Sequence, residues 1–400
     1  MKWEKVAIKD ICTGIYDGPH ATPPLSDTGA IFLGISNFNN GRLDFSDIRY
    51  ISEDDLPKWT KRVIPQKNDI VFSYEATLNL YAIIPEGFRG CLGRRMALLR
   101  VDETKADYKF LYYYFYSDAW RATVNENIVL GATVDRIPLI KFPDFPVELP
   151  PLETQHRIAD ILSAYDDLIE NNQKQIKLLE EAARRLYKEW FVDLRFPGYE
   201  NTKIVDGVPE GWNWCKVRDV ADINSSALPK NYKEDFIDYV DLGSVRCGHI
   251  ETRTRYNLNE APGRAKRCAK DGDIIWGMVR PNLKAYALVT NPKETDVFST
   301  GFAVLSAKKV PYSYLYCAVT QEEFVGYLVN ATNGAAYPAV KPVHFEVADI
   351  LKPDDKVLEQ FHSVADSIYR KKEALENQNH NLSEARDLLL PKLMNGEVEV

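Results

Sequence analysis

No glycine or proline interrupts the chain between Pro151 and Pro197. Within that stretch apolar or near-apolar side chains recur at Ile158, Leu162, Tyr165, Ile169, Ile176, Leu179, Ala183, Leu186 and Trp190, and only Asn172 is polar in the series. Steps of four and three sustained this far are a heptad seam. Pro151 suits the first helical position, and Glu153 and Asp160 put negative charge near the positive end of the helix. The pattern predicts one helix of about 40 residues, roughly 60 Å long at 1.5 Å per residue. Such a helix must find a partner for its seam. One is offered near the end of the chain, where Phe361, Val364, Ile368, Leu375, Leu382, Ala385 and Leu389 repeat the spacing, with Lys371 and Gln378 interrupting it.

The two helices share letters. His156, Ile158, Ala159 and Asp160 stand like His362, Val364, Ala365 and Asp366, which points to an internal duplication. The rest of the chain repeats as well. WEKVAIKDI from Trp3 resembles WCKVRDVADI from Trp214, and Phe38-x-x-Gly41-x-Leu43 matches Val245-x-x-Gly248-x-Ile250. NDIVFS from Asn68 matches GDIIWG from Gly272, each read as a turn followed by a buried strand. The aromatic run FLYYYFYSDAW from Phe110 parallels YSYLYCAVTQEEF from Tyr312, and Gly131-Ala132 corresponds to Gly334-Ala335, with Phe142 and Phe345 following each pair. The aromatic run invites a base-stacking role, but its spacing is that of a short amphipathic helix, so core packing is the expectation. FPGYENTKIVDGVPEGWNW, between the halves, reads as a linker. The order is domain, helix, domain, helix: residues 1–149, a helix at 150–196, a linker at 197–211, a second domain at 212–352 and a last helix at 353–400. The predicted fold is α+β, with two tandem α/β domains separated by two long helices that form an antiparallel coiled coil.

Hydrophobic residues make up 45% and charged residues 27% of the sequence, which is the composition of a globular protein. No apolar run is long enough to span a bilayer, and MKWEKVAIKD is neither a signal nor a transit peptide. A cytoplasmic protein without a membrane partner is expected. The six cysteines, Cys12, Cys91, Cys215, Cys247, Cys268 and Cys317, form no C-x-x-C pair. Neither a disulfide framework nor a zinc site is expected, and most of them are predicted to be small buried hydrophobes. The net charge of −8 argues against a nucleic-acid partner. Its distribution does not: residues 1–150 hold 18 basic and 20 acidic side chains and residues 211–351 hold 17 and 16, so the acid excess lies in helices and linkers. Either domain can carry a basic face.

Catalytic signatures are missing. There is no G-x-G-x-x-G, P-loop, G-x-S-x-G or H-E-x-x-H. The methyltransferase signature of Asn or Asp, Pro, Pro and an aromatic is absent too, since Asn291-Pro292 runs into Lys293. The six histidines show no metal-ligand spacing. Neither catalytic residues, metal nor cofactor is predicted. A duplicated pair of domains on a helical frame suggests binding and scaffolding.

Several strings resemble a known family, the specificity subunits of type I restriction–modification systems. LYKEWFVDLRFPGYE at 186–200 and VPEGWNW at 208–214 are similar to that family's central helix end and linker. PPLETQ at 150–155 resembles its helix opening, with VLEQ at 357–360 as a weaker second copy. DGPHATPP from Asp17, and LEEAARRLY set against LSEARDLLLPKLMNGEV at the two helix ends, add to the likeness, which covers almost the whole chain. The resemblance implies two target-recognition domains, each reading half of a split double-stranded DNA sequence. It also implies an antiparallel helix pair that docks two copies of the modification (methyltransferase) subunit, with the restriction (translocase and nuclease) subunit joining through the complex.

DNA binding needs Lys and Arg for phosphates, and Arg, Asn, Gln, Ser and Thr for base edges. RTRYNLNEAPGRAKRCAK from Arg253 has six basic residues and one acidic, the most basic window of the chain. With the resemblance, Arg253, Arg255, Arg264, Lys266 and Arg267 become DNA-contact candidates, with Arg280 and Asn282 near a strand end. The first-domain candidates are Lys58, Lys61, Arg62, Arg94 and Arg95, with His20, Thr22 and Asn79 in loops. Thr133, Thr332 and Asn333, in the Gly-Ala loops, offer backbone N–H groups to phosphate or form simple turns. Leu168, Tyr187 and Phe191, off the seam, are candidates for exposed partner-docking positions. The competing reading is a duplicated coiled-coil adaptor without nucleic acid, which the acidic charge favours; an enzyme with an unrecognised site ranks last.

Overall fold

The computed structural model describes residues 3–131, 134–332 and 338–400. Two compact units divide it, residues 1–171 with 378–400, and residues 172–377. The expected mixture of helix and sheet is present. Two helices dominate it, Leu152–Tyr187 of 36 residues and Asp355–Met394 of 40, and each contributes a segment to each unit.

In the first unit the strands Cys12–Asp17, Met96–Val101, Ile70–Ser73 and Tyr81–Ile83 lie side by side in that order, all antiparallel. Arg49–Ile51, Ala30–Leu33 and Gly90–Leu92 form a second sheet whose last pair is parallel. The second unit repeats the plan. Ala221–Ile223, Phe302–Ala307, Ile274–Gly277 and Tyr286–Leu288 give the antiparallel sheet. Thr254–Asn257, Phe236–Val240 and Asp296–Ser299 give the second, again with a parallel pair, and Ala265–Arg267 is added at its edge. NDIVFS and GDIIWG supply equivalent strands, each entered from a left-handed residue, Asn68 (φ 71°) or Gly272 (φ 82°).

The matched Gly41 and Gly248 mark hairpins, Phe38–Asn39 with Arg42–Leu43 and Val245–Arg246 with His249–Ile250. Asn40 (φ 47°) with Gly41 (φ 80°), and Cys247 (φ 42°) with Gly248 (φ 98°), have positive φ at both central positions. That is the type I′ turn, whose twist suits a two-residue hairpin. Each hairpin is tied to the long helices of its own unit. In the first unit Arg42 pairs with Glu170 and donates to the Asp166 carbonyl at 2.6 Å. There Tyr112 Oη donates to Gly41 O at 2.7 Å, and Arg386 reaches the Asp166 carboxylate at 2.5 Å. In the second unit Lys372 Nζ donates to Gly248 O at 3.0 Å and pairs with Glu180 at 2.8 Å. His249 places Nε2 3.1 Å from Glu180 and Nδ1 2.7 Å from Glu376. Hydrogen bonds to Glu180 and then Glu376 lift the imidazole to about 9. Burial works against the Glu180 carboxylate, but His249 and Lys372 hold it down at about 2. Removing one member of such a network costs more than the network contributes, because the remaining charges stay desolvated.

The central-helix seam is as expected, with all ten positions from Ile158 to Trp190 buried or half-buried. The C-terminal seam differs. Val364, Lys371, Gln378 and Ala385 are exposed, and the buried or half-buried stripe runs through Phe361, Ala365, Ile368, Lys372 and Leu375, then Leu382, Arg386 and Leu389. Lys372 and Arg386 belong to it because Glu180 and Asp166 face them. The central helix also stops early. A π-helical turn, Lys188–Val192, gives way to Leu194 in the left-handed region (φ 58°), closed by the Arg195–Glu189 ion pair. The run without Gly or Pro allowed helix to Phe196, but local ion pairs decided the end. The C-terminal helix starts at an aspartate cap, Asp354 Oδ1 accepting from Val357 N at 3.0 Å, and ends before Gly396 (φ 71°).

The aromatic run is core, on every side rather than on one. Phe110 to Phe115 and Trp120 are buried between the antiparallel sheet and the first segment of the central helix, among Phe72, Ile158 and Leu162. Each such fully buried side chain contributes about 1.5–3 kcal/mol. The cysteine expectation is corrected. Only Cys91 and Cys317 are fully buried, and Cys247 is exposed because it occupies the hairpin turn.

Candidate nucleic-acid interface

Strand register gathers many of the first-domain candidates. Asp17 pairs opposite Ala97, Met96 opposite Ser73 and Phe72 opposite Tyr81. Four chain segments therefore turn at one end of the antiparallel sheet, carrying His20, Tyr74, Asn79, Arg94 and Arg95. His20 Nε2 lies 2.9 Å from Asp17 and Nδ1 3.5 Å from Tyr74 Oη, a phenol whose pKa burial raises. Arg62 is drawn to Asp17 at 2.5 Å, and Arg95 (φ 73°) lies 3.2 Å from Glu75. Asn79 (φ 61°) accepts from Tyr81 Oη at 3.4 Å. Arg94 and Lys61 are exposed, with no ion pair or hydrogen bond from their side chains among the described residues. Lys58, on the short helix Leu56–Trp59, is exposed and sits 5.8 Å from the Trp59 ring centroid. Thr22 is an exposed loop residue; Thr133 lies outside the described residues.

In the second domain the same sheet end is reached by Arg280 (φ 49°) and by exposed Asn282, at the turn following Ile274–Gly277. The basic window splits in two. Arg255 makes a bidentate pair with Asp238 at 2.9 and 3.1 Å and lies 4.1 Å from the Phe236 ring centroid. Arg253 lies 3.4 Å from buried Asp296. Their charge is largely spent within the sheet, since two carboxylates on adjacent parallel strands need two cations. Arg264 and Lys266 are exposed, and among the described residues their side chains have no ion pair or hydrogen bond. Arg267 is half-buried with an unpaired Nε.

Three expectations are corrected. Thr332 is buried, and its N–H and hydroxyl both go to Val329 O, at 3.1 and 2.7 Å, closing a helix rather than facing an anion. Asn333 lies outside the described residues. Tyr187 and Phe191 are not exposed docking positions. They are buried with Tyr314, Phe361 and Trp212, because the second domain covers that side of the helix. Leu168 is exposed as expected, and Leu178, Leu388 and Val364 join it. Sequence reasoning also missed Arg49, exposed on an edge strand with its guanidinium 5.0 Å from the Phe32 ring centroid. No motif marks it; only the fold brings it to that ring.

A pair of domains that each expose cations without an ion pair among the described residues, Lys61 and Arg94 in one and Arg264 and Lys266 in the other, can attract a polyanion. Residues 1–181 match the family model for the type I restriction modification DNA specificity domain. The MjaIX specificity subunit of Methanocaldococcus jannaschii is 25% identical over 371 residues, covering 88% of this chain and 82% of its own. Along most of its length the chain is similar to specificity subunits of type I restriction–modification systems. Among other specificity subunits, that of HindI from Haemophilus influenzae is 22% identical over 318 residues, covering 63% of this chain and 69% of its own. The fold agrees. The crystal structure of a type I restriction–modification S subunit from M. genitalium aligns with a TM-score of 0.59 at 16% identity, covering 98% of this chain and 96% of that one.

Proposed function

We propose that this chain is a specificity subunit that reads a bipartite duplex DNA target, one half-site through residues 1–149 and the other through residues 212–352, and contributes no catalytic group itself. The observation that carries the reading is the repeated sheet plan with unpaired cations in both copies, Lys61 and Arg94 in one, Arg264 and Lys266 in the other. Methyl transfer falls to two copies of the modification subunit, and the restriction subunit joins through the complex. Exposed leucines on the two long helices, Leu168, Leu178 and Leu388, form the docking positions. Among the described residues no helix is long and apolar enough to cross a membrane, and such a complex works in the cytoplasm, on chromosomal DNA.

The test is the salt dependence of binding to random duplex by the complex of this chain with its methyltransferase subunit. If Lys58, Lys61, Arg94 and Lys266 each neutralise a phosphate, log K falls against log salt with a slope of roughly −3 to −4, over and above the bare methyltransferase. An unchanged slope would favour the adaptor reading.

A further inference from the structure

The parallel strands of the second domain, Phe236–Val240 and Asp296–Ser299, run out into a cleft of about 310 Å³ whose lining includes Tyr239, Asp241, Tyr256, Arg264 and Ser299. Tyr239 and Tyr256 form one wall, edge to face with centroids 6.1 Å apart. Arg264 enters from the residue before strand Ala265–Arg267, anchored by its backbone, whose carbonyl accepts from Thr300 N at 2.8 Å. Its guanidinium is exposed and makes no ion pair or hydrogen bond among the described residues, unlike Arg253 and Arg255 of the same window. Asp241 has one oxygen committed, Oδ1 accepting from Ser244 N at 2.9 Å and Ser244 Oγ at 2.8 Å. Its other oxygen has no hydrogen bond among the described residues.

The first domain shows the same corner filled. There Leu33 pairs with Leu92 as Val240 pairs with Phe298, so Gly34 stands in the place of Asp241. A Cβ on Gly34 would lie 2.2 Å from Arg49 Nη2: the neighbouring strand's arginine occupies the space. The residue of the second domain in Arg49's place is Thr254, opposite Tyr239 as Arg49 is opposite Phe32. Being short, it leaves the cleft open.

A cleft with a free arginine fork and a free carboxylate oxygen is a poor phosphate site, because the carboxylate repels a phosphate. It suits a surface that presents acceptors beside an amine. The major-groove edge of a G·C pair does so, with guanine O6 and N7 for an arginine fork and cytosine N4 for a carboxylate. We propose that Arg264 and Asp241 together read one G·C pair in the half-site of the second domain. The proposal rests on the DNA-reading function above and assigns it a position and a base pair.

The experiment is methylome sequencing of hosts carrying the wild-type, R264A, R264K or D241N chain, with affinities of each complex for the cognate duplex and for a random one. For wild type, one bipartite motif with at least one G·C pair in the second-domain half-site is expected. R264A should make one such position degenerate, lowering cognate affinity on the order of ten- to a hundredfold and leaving random-duplex affinity within about twofold. R264K should behave similarly, since lysine keeps the charge but not the fork. D241N should relax the same position. Full specificity in R264K, an unchanged motif in R264A, or an equal loss on cognate and random DNA with a salt slope shallower by about one would each overturn it, the last by showing a phosphate contact. A wild-type chain that directs no methylation would instead remove the DNA-reading function, and this proposal with it.

Discussion

Asp69 and Asp273 occupy the same place in the two domains, and their surroundings have diverged. Both are buried, and both accept from the backbone three residues earlier, Asp69 from Gln66 N at 2.7 Å and Asp273 from Lys270 N at 2.9 Å. Asp69 also receives Arg100 through two bonds of 2.8 Å. The residue in Arg100's place is the uncharged Ser306, so no cation pairs with Asp273, and its Oδ1 has no hydrogen bond among the described residues. Burial therefore raises the Asp273 carboxyl above its ordinary range. A native carboxyl that holds its proton more tightly than the unfolded one costs stability as pH rises through the carboxylate range, and the cost persists above it. Asp273→Asn should thus leave stability at pH 4 nearly unchanged and raise it, or change it by less than about 1 kcal/mol, at pH 8. Asp69→Asn strands Arg100 and should cost roughly 3 kcal/mol near neutral pH. Urea denaturation at both pH values checks the pair; equal losses for both variants at pH 8 would contradict it.

At the scale of elements, periodicity was readable where local chemistry sufficed. The central seam and the buried strands NDIVFS and GDIIWG follow from spacing and turn chemistry alone. The C-terminal seam was misread by one position because Phe361 to Ile368 can be bridged through either Val364 or Ala365 in steps of three and four. The more hydrophobic choice was wrong. Lys372 and Arg386 lie inward since Glu180 and Asp166 receive them, a pairing that no single helix displays. The same misreading concealed which apolar side chains remain uncovered. Leu178 and Leu388 are 64% and 70% exposed, so a charge there should cost the fold within about 0.5 kcal/mol. Leu178→Glu and Leu388→Glu should each weaken co-purification with the methyltransferase subunit while leaving circular dichroism and melting unchanged; full co-purification of the double variant would place the docking surface elsewhere.

At the scale of the whole molecule, the duplication makes a modular prediction. Each domain has its own antiparallel sheet, parallel pair and hairpin, and its own core. Replacing residues 1–145 with the same region of a related specificity subunit should change one half of the methylated sequence and preserve the other. Methylome sequencing of the exchange strain reads this directly, and a change in both halves would show that the domains do not act independently.

The sequence by itself determined the architecture: two long amphipathic helices, two homologous domains and the absence of catalytic motifs are local or repetitive signals, carried by residue spacing. It also marked the basic window from Arg253. Only the tertiary structure decided which of those cations stay available. Arg253 and Arg255 share one basic window with Arg264, yet Asp296 and Asp238 claim them from other strands of the sheet. Tyr187 and Phe191 look like docking residues on an isolated helix and are core once the second domain packs on it. Periodicity reports which side of an element is apolar. Pairing and burial depend on which distant segment faces that side, and that is fixed by the fold.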